Sequence, residues 1–254
     1  MSLLKRLVFQ YAALIAFIMV LVSWQSLCAL LKVPAYVLPA PTAIMSSFSS
    51  LSLGRWLEHI FATLSVALSG YAIAIFISIP LAMAITKSAL VSRIAMPWLI
   101  VIQSTPVVAI APILITMLGA SSLPRIVITT LIAFFPIVIS TTTGLRSVPA
   151  ELVDLSKTLR APRSREYWQI RIPYALPYIF SSLRVAITLA IIGAVVAEFV
   201  SSDKGLGYLI NFSMSNFKVA LAFTSLVILV ICSLGLYSLI TLIQKRLFAW
   251  SNDA

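Results

Sequence analysis

The sequence predicts an all-α, polytopic membrane protein with about six transmembrane helices, and three observations carry that prediction. Of the 254 residues 61% are hydrophobic and only 10% charged, with a mean hydropathy of +1.09, whereas soluble domains carry roughly 25% charged residues. Six apolar segments, at 7–31, 60–86, 94–118, 126–145, 175–200 and 218–243, are each long enough to cross a bilayer, because a hydrocarbon core of about 30 Å takes roughly 20 residues as a helix. None alternates strictly between apolar and polar residues as a barrel strand would, and a helix satisfies its own backbone in lipid. Six crossings with short connections leave no room for a soluble catalytic domain, so residues 1–254 read as one transmembrane domain.

Lys5 and Arg6 precede the first segment, which runs to about Leu31 without a compact small-residue cleavage site. It is therefore expected to be a retained helix rather than a signal peptide. Val33 to Pro41 follows, and with prolines at 34, 39 and 41 it cannot continue as helix and should run extended along the outer surface. From Thr42 to Leu53, apolar Ile44, Met45, Phe48, Leu51 and Leu53 recur at a loose helical period. That stretch either lies flat at the interface or forms an ordinary external loop.

Lys and Arg residues between the segments separate two sides. One collects twelve: Lys5, Arg6, Lys87, Arg93, Arg146, Lys157, Arg160, Arg163, Arg165, Arg171, Lys245 and Arg246. The other collects five, namely Lys32, Arg55, Arg125, Lys204 and Lys218, while Arg184 falls inside the fifth segment. Cytoplasmic connections carry the excess of positive charge, so the first side and both termini are expected inside. The formal net charge of +11 thus reports orientation and leaves no exposed basic face for nucleic acid. Cys28 and Cys232 lie in apolar runs, with neither the spacing of a disulfide framework nor that of a metal site.

The longest connection on the basic side, residues 146–174, is the most informative. Pro149 suits the first turn of a helix, and Glu151 and Asp154 are acids near its positive end. Leu152, Leu155 and Leu159 form one apolar stripe. A second short helix is expected from Pro162, presenting Tyr167, Trp168 and Ile170, until Pro173 and Pro177 redirect the chain into the next span. Together they form a knob whose exposed apolar residues, ringed by arginines, a soluble partner could grip; the alternative is a snorkelling interfacial loop.

The stretch resembles the cytoplasmic signature of binding-protein-dependent ABC importer permeases: Glu-Ala-Ala, three residues, Gly, nine residues, Ile, one residue, Leu-Pro. Asp154 stands for the glutamate, Leu155 and Ser156 for the alanines, Arg160 for the glycine, Ile170 for the isoleucine, and Ile172-Pro173 for Leu-Pro, with the spacing preserved. Further patterns occur in the order seen in the nitrate/sulfonate/taurine-like branch. They are Leu38-Pro39-Ala40-Pro41, Gln103-Ser104-Thr105-Pro106 with Pro112, Phe134-Phe135-Pro136, Gly144-Leu145-Arg146, Pro173-Tyr174-Ala175-Leu176-Pro177, Leu183-Arg184, Ala197-Glu198 and Gly205-Leu206-Gly207.

The resemblance implies a type I ABC importer permease fold in a bacterial inner membrane, working as a homodimer with two cytoplasmic ABC ATPase subunits and an external solute-binding protein. No cofactor is expected on the permease itself; ATP and Mg belong to the partner ATPase, in keeping with the lack of a Gly-x4-Gly-Lys-Ser/Thr phosphate loop in this chain. Residues 146–174 are then the ATPase-coupling segment, with Asp154, Leu155, Ser156, Leu159, Arg160, Ala161, Pro162, Ile170 and Pro173 as its site. The family's glycine permits a positive φ where the first helix ends. Here Arg160 replaces it, and the expectation is that Pro162 makes the break by expelling Ala161 from helical space, leaving Arg160 free to carry charge.

Polar groups at membrane depth usually face protein or a cavity. Gln103, Ser104 and Thr105 before Pro106 are read either as a kinked helix lining the translocation pathway or as a packing kink satisfied by hydroxyls. Thr141, in the run Ser140 to Thr143, either joins the pathway or bonds back to its own helix. Glu198 is the one carboxylate inside an apolar run: a gate residue, a structural acceptor or an interfacial acid. Arg184 is 14 residues away, roughly 21 Å along a helix, and cannot pair with it. Gly205-Leu206-Gly207 is expected to form a tight external turn, and His59 beside Glu58 to be interfacial rather than a ligand.

Two other function classes make different demands on a sequence. An ion-coupled secondary carrier needs buried ionisable groups near the midplane and commonly repeated halves; an intramembrane enzyme needs a nucleophile with a base, and His59 has no such partners in sequence. Nitrate, sulfonates and taurine lead as substrates, with a thiamine-precursor pyrimidine, riboflavin or another small metabolite open. An outward-facing cavity short of cationic residues argues against tight anion binding inside the permease itself.

Overall fold

The protein is described by a computed structural model over residues 3–119 and 121–248, with side chains from Tyr11 onward. The termini expected in the cytoplasm, 1–2 and 249–254, lie outside the described residues. Helix α1 (Leu3–Leu30) is followed by a short α2 (Pro41–Ser46) and a 3-10 turn (Ser47–Ser50), then by α3 (Leu53–Lys87), α4 (Ala89–Ser104), α5 (Val107–Leu118) and α6 (Ser122–Arg146). The knob comprises α7 (Ala150–Thr158), α8 (Arg163–Glu166) and a π-turn (Tyr167–Arg171); α9 (Ile172–Val200), α10 (Leu206–Ser215) and α11 (Val219–Leu247) complete the chain. No strand occurs among the described residues.

The core is a close-packed trio of α3, α6 and α9, with α11 alongside. Lipid gives apolar faces no drive to associate, so such helices rely on small residues and interhelical hydrogen bonds. Ala67, Ala74, Ala133, Ala186, Ala190 and Ala194 are all fully buried along these contacts. Hydroxyls stitch the trio: Thr130 Oγ1 donates to Gly70 O (3.2 Å), Ser78 Oγ to Phe134 O (3.1 Å), Tyr71 OH to Leu183 O (3.1 Å) and Ser140 Oγ to Tyr178 O (2.9 Å).

Five helices are long and apolar enough to cross unbroken, and the third expected span is split into α4 and α5, bent by 93°. Residues 42–53 do not lie free. Thr224 Oγ1 of α11 donates to Ile44 O (2.9 Å), and Gln25 of α1 accepts from Thr42 N (3.2 Å), so α2 fastens α1 to the bundle. Helix α1 is otherwise peripheral, with a Trp24–Phe223 ring contact at 6.0 Å.

Candidate functional site

The knob divides into a free half and a fastened half. In α7, Pro149 is the N-cap rather than a first-turn residue, Glu151 occupies the first turn, and Asp154 sits mid-helix in an exposed 2.8 Å ion pair with Lys157. Leu152, Leu155 and Leu159 face outward, whereas Ser156 is buried with its hydroxyl on Val153 O. The helix ends in a Schellman turn: Ala161 N–H donates to Ser156 O and Arg160 N–H to Lys157 O, both at 2.9 Å. Arg160 itself takes a φ of +51°. This corrects the expectation that Pro162 alone makes the break. The arginine adopts the left-handed conformation that glycine normally supplies, and Pro162 serves next as the extended N-cap of α8.

The second half of the knob also departs from expectation. No redirection occurs at Pro173 or Pro177; α8, the π-turn and α9 form one continuous helical path. An α-helical turn here would drive the ring of Pro173 against Gln169 O and leave that carbonyl unpaired. The wider turn, with Ile172 N–H on Tyr167 O, accommodates it. Tyr167 is consequently turned inward and buried, while Trp168 stays 63% exposed. Tyr167 OH donates to Met83 O of α3 (3.3 Å), and Lys87 Nζ stands 4.5 Å from its ring centre. Arg171 pairs with Glu166 (2.8 Å) and donates through Nη1 to Leu145 O of α6 (3.1 Å). Sequence reasoning missed these ties; the five-residue spacing of Glu166 and Arg171 suits a π-turn and was the available signal. Between the halves lies a cleft of about 260 Å³ lined by Leu155, Leu159, Arg160, Pro162, Gln169 and Ile170.

The break between α4 and α5 falls at Thr105–Pro106. A residue before proline is pushed out of helical space, and Thr105 is extended at φ −82° and ψ 125°. Pro112, expected to contribute, stays inside α5 without interrupting it. Ser104 and Thr105 hydroxyls bond back to Ile100 O and Val101 O, both at 2.8 Å. Gln103, Ser104 and Pro106 are exposed and Thr105 is half-buried. Thr141 is instead buried in the stripe Ile137, Val138, Thr141, Thr142, Leu145, spaced at three and four residues along α6.

At the end opposite the knob, three side chains receive three consecutive backbone N–H groups where α10 begins. His59 Nδ1 accepts from Gly205 (3.1 Å), Thr63 Oγ1 from Leu206 (2.8 Å) and Glu198 Oε2 from Gly207 (2.7 Å). Of the three readings of Glu198, the structural acceptor is the one seen. Gly205 has φ +119° and lies so close to Glu198 that a Cβ would collide with the carboxylate. His59 also stacks on Tyr208, and Tyr208 on Phe212, with centroids 6.1 and 5.7 Å apart. These rings wall a cavity of about 840 Å³ that gathers Arg55, Lys204 and Lys218 with Glu58 and Asp203. Lys204 pairs with Glu58 at 2.9 Å, which raises the lysine's pKa. Cations scattered in sequence are thus concentrated by the fold at this end, though beside acids.

Residues 74–250 match the family described as the binding-protein-dependent transport system inner membrane component. The chain belongs to this family. It is 35% identical over 246 residues to the riboflavin transport system permease protein RibX of Chloroflexus aurantiacus, covering 95% of this chain and 92% of that protein. It is 31% identical over 234 residues to the formylaminopyrimidine transport permease protein ThiX of Halalkalibacterium halodurans, covering 92% and 93%. Among solved structures, the inward-facing MetNI methionine ABC transporter matches with a TM-score of 0.64 at 18% identity, over 79% of this chain and 99% of that one. The fold is that of a type I ABC importer permease. The chain is a membrane-integral ABC permease, and its family is the transport component, not a catalytic one. Permeases of this family normally pair with an ATPase and a binding protein.

Proposed function

We propose that two copies of this permease form the translocation pathway of an ATP-driven importer in a bacterial inner membrane. Two ABC ATPase subunits grip the outward face of residues 146–174, and an external solute-binding protein delivers a small solute. The observation that carries this reading is the left-handed turn at Arg160, which keeps the family's helix break in register and leaves Leu155, Leu159 and Trp168 exposed on an otherwise fastened knob. The knob faces the cytoplasm on the strength of the charge count, with both termini on the same side.

In this reading Gln103, Ser104, Thr105 and Pro106 line the pathway at the broken span. Thr141 and Glu198, buried within one protomer, meet solute only if the seams around α9 open. ATP and Mg are held by the ATPase. For the solute, a small planar heterocycle is favoured over nitrate, a sulfonate or taurine. The stacked rings of His59, Tyr208 and Phe212 offer faces to a flat ligand, the surrounding charges are mixed in sign, and the two relatives named above carry riboflavin and formylaminopyrimidine in their names. The test is purification of the permease from native membranes: an ATPase subunit should accompany it and hydrolyse ATP faster when the binding protein is added. Recovery without an ATPase would overturn the coupling role and favour an ion-coupled carrier. Mass spectrometry of the ligand held by the binding protein decides the solute class, and an inorganic anion there would reverse the preference.

A further inference from the structure

The outward surface of the knob and its inward surface are made by different residues. Leu155, Leu159 and Trp168 point away from the bundle. Tyr167 and Arg171 point into it, and each reaches a different span: Tyr167 OH reaches Met83 O of α3, and Arg171 Nη1 reaches Leu145 O of α6. The third span, α9, is reached by the chain itself through the π-turn.

Arg171 is well suited to its tie. Leu145 O belongs to the last turn of α6, whose carbonyls have no helical partners, and a guanidinium can serve it while other nitrogens hold a carboxylate. Nε and Nη2 of Arg171 both lie 2.8 Å from Glu166 Oε1, so the arginine is braced from the knob while it grips the span. Its side chain is 22% exposed and that of Glu166 15%, which shields the pair from the solvent that weakens surface ion pairs. The chain joins the knob to the bundle at two places, residues 147–149 leading from α6 and the π-turn leading into α9, and the π-turn, whose geometry is looser than an α-helix, could flex under load. Two lateral ties, made by the first and last residues of that turn, oppose this.

Resting on the coupling reading above, we propose that Tyr167 and Arg171 are positioning residues that spread displacement of the knob over α3 and α6 as well as α9, so that the three core helices move together. Neither residue meets the ATPase. Both act through the backbone carbonyls they hold.

The experiment uses the full permease purified with its ATPase, carrying Ser215→Cys as a reporter at the far end of the bundle, where Ser215 is exposed, and Cys232→Ser to remove the partly buried native thiol. Labelling by a water-soluble maleimide is compared between nucleotide-free and ATP-vanadate-trapped complexes. Two variants are added: Tyr167→Phe, which removes only the hydroxyl tie, and Arg171→Lys, whose single ammonium cannot brace on Glu166 and reach Leu145 O in the same planar fashion. The expected result is a normal complement of ATPase and normal ATP hydrolysis in both variants, with loss of the state-dependent change in labelling that the parent shows. Retention of that change in both variants overturns the proposal. Failure of both to assemble with the ATPase also overturns it, because the residues would then be merely structural. A parent that assembles but labels equally in both states overturns it as well, since no movement reaches the far end. A parent that does not retain an ATPase refutes instead the coupling reading on which the proposal rests.

Discussion

Replacing Arg160 with glycine tests whether the left-handed turn, rather than the arginine side chain, holds the knob in shape. Arg160 sits at φ +51° with its side chain exposed, and no ion pair among the described residues involves it. The left-handed conformation costs an L-residue about 1–2 kcal/mol. Glycine escapes that cost but gives up roughly 0.5–1 kcal/mol through its greater freedom in the unfolded chain. The balance favours the glycine turn by about 0.5–1 kcal/mol, or roughly two- to fivefold in the local opening equilibrium. The two amides donating in the turn, Arg160 and Ala161, report that equilibrium through hydrogen exchange in the purified complex. In Arg160→Gly exchange at Ala161 should slow by that factor with ATPase recovery unchanged, and in Arg160→Val, where a branched side chain tolerates positive φ least, it should quicken. Faster exchange in the glycine variant would refute the argument, because the side chain would then be doing the holding.

Other perturbations address other parts of the molecule. Asp154→Lys sets a second ammonium beside Lys157 on the exposed face of α7; an intrahelical pair contributes only about 0.2–0.5 kcal/mol, so the helix should survive. ATPase recovery should nevertheless fall, and unchanged recovery would remove Asp154 from the docking surface. Thr105→Cys should react with a water-soluble thiol reagent at a rate that differs between nucleotide-free and ATP-trapped complexes, whereas equal protection in both states would leave the break a packing feature. Glu198→Gln keeps an acceptor for Gly207 N–H and should leave thermal stability unchanged. Glu198→Ala strands that buried donor and should cost about 1–3 kcal/mol; equal melting of the two variants would deny the carboxylate its role as acceptor.

The spans were legible because composition and run length alone decide them: lipid permits little besides helices, and Leu, Ile and Val fill the runs accordingly. The break at Thr105–Pro106 was legible too, since proline constrains the residue before it whatever surrounds it. What could not be read was direction. Tyr167 and Trp168 are neighbours of similar character, yet one is buried under α3 and the other is exposed, and the choice is set by the π-turn that precedes Pro173. Thr141 and Ser140 pose the same problem, because which hydroxyl faces a neighbour depends on the rotation of α6 within the trio. The clamp on α10 was hidden for another reason. His59, Thr63 and Glu198 are brought together from helices whose pairing the sequence does not state, although the glycines that permit the approach were visible at 205 and 207.

The split span gains meaning from where its halves are anchored. Helix α4 is held by Leu99, packed with Ile85 and Val138 in the knob-side parts of α3 and α6, and Arg146 adds a 3.1 Å hydrogen bond to Ser92. Helix α5 is held by Ala111, packed with Ile128 and Ala197 toward the opposite end of α6 and α9. Between Ile128 and Val138 lies Pro136, which leaves a gap in the hydrogen-bond ladder of α6. Any flexing of α6 at that level, driven from Leu145 through Arg171, changes the position of the α4 anchor relative to the α5 anchor. The joint at Thr105–Pro106 must absorb the difference, since no helical hydrogen bond crosses it to resist. An unbroken third span would oppose such a motion along its whole length, whereas two separately anchored halves turn a small change in α6 into a change of angle at Gln103 to Pro106. A conformational signal from the knob can therefore reach those residues through rigid helices and one loose joint, without a continuous line of coupled side chains.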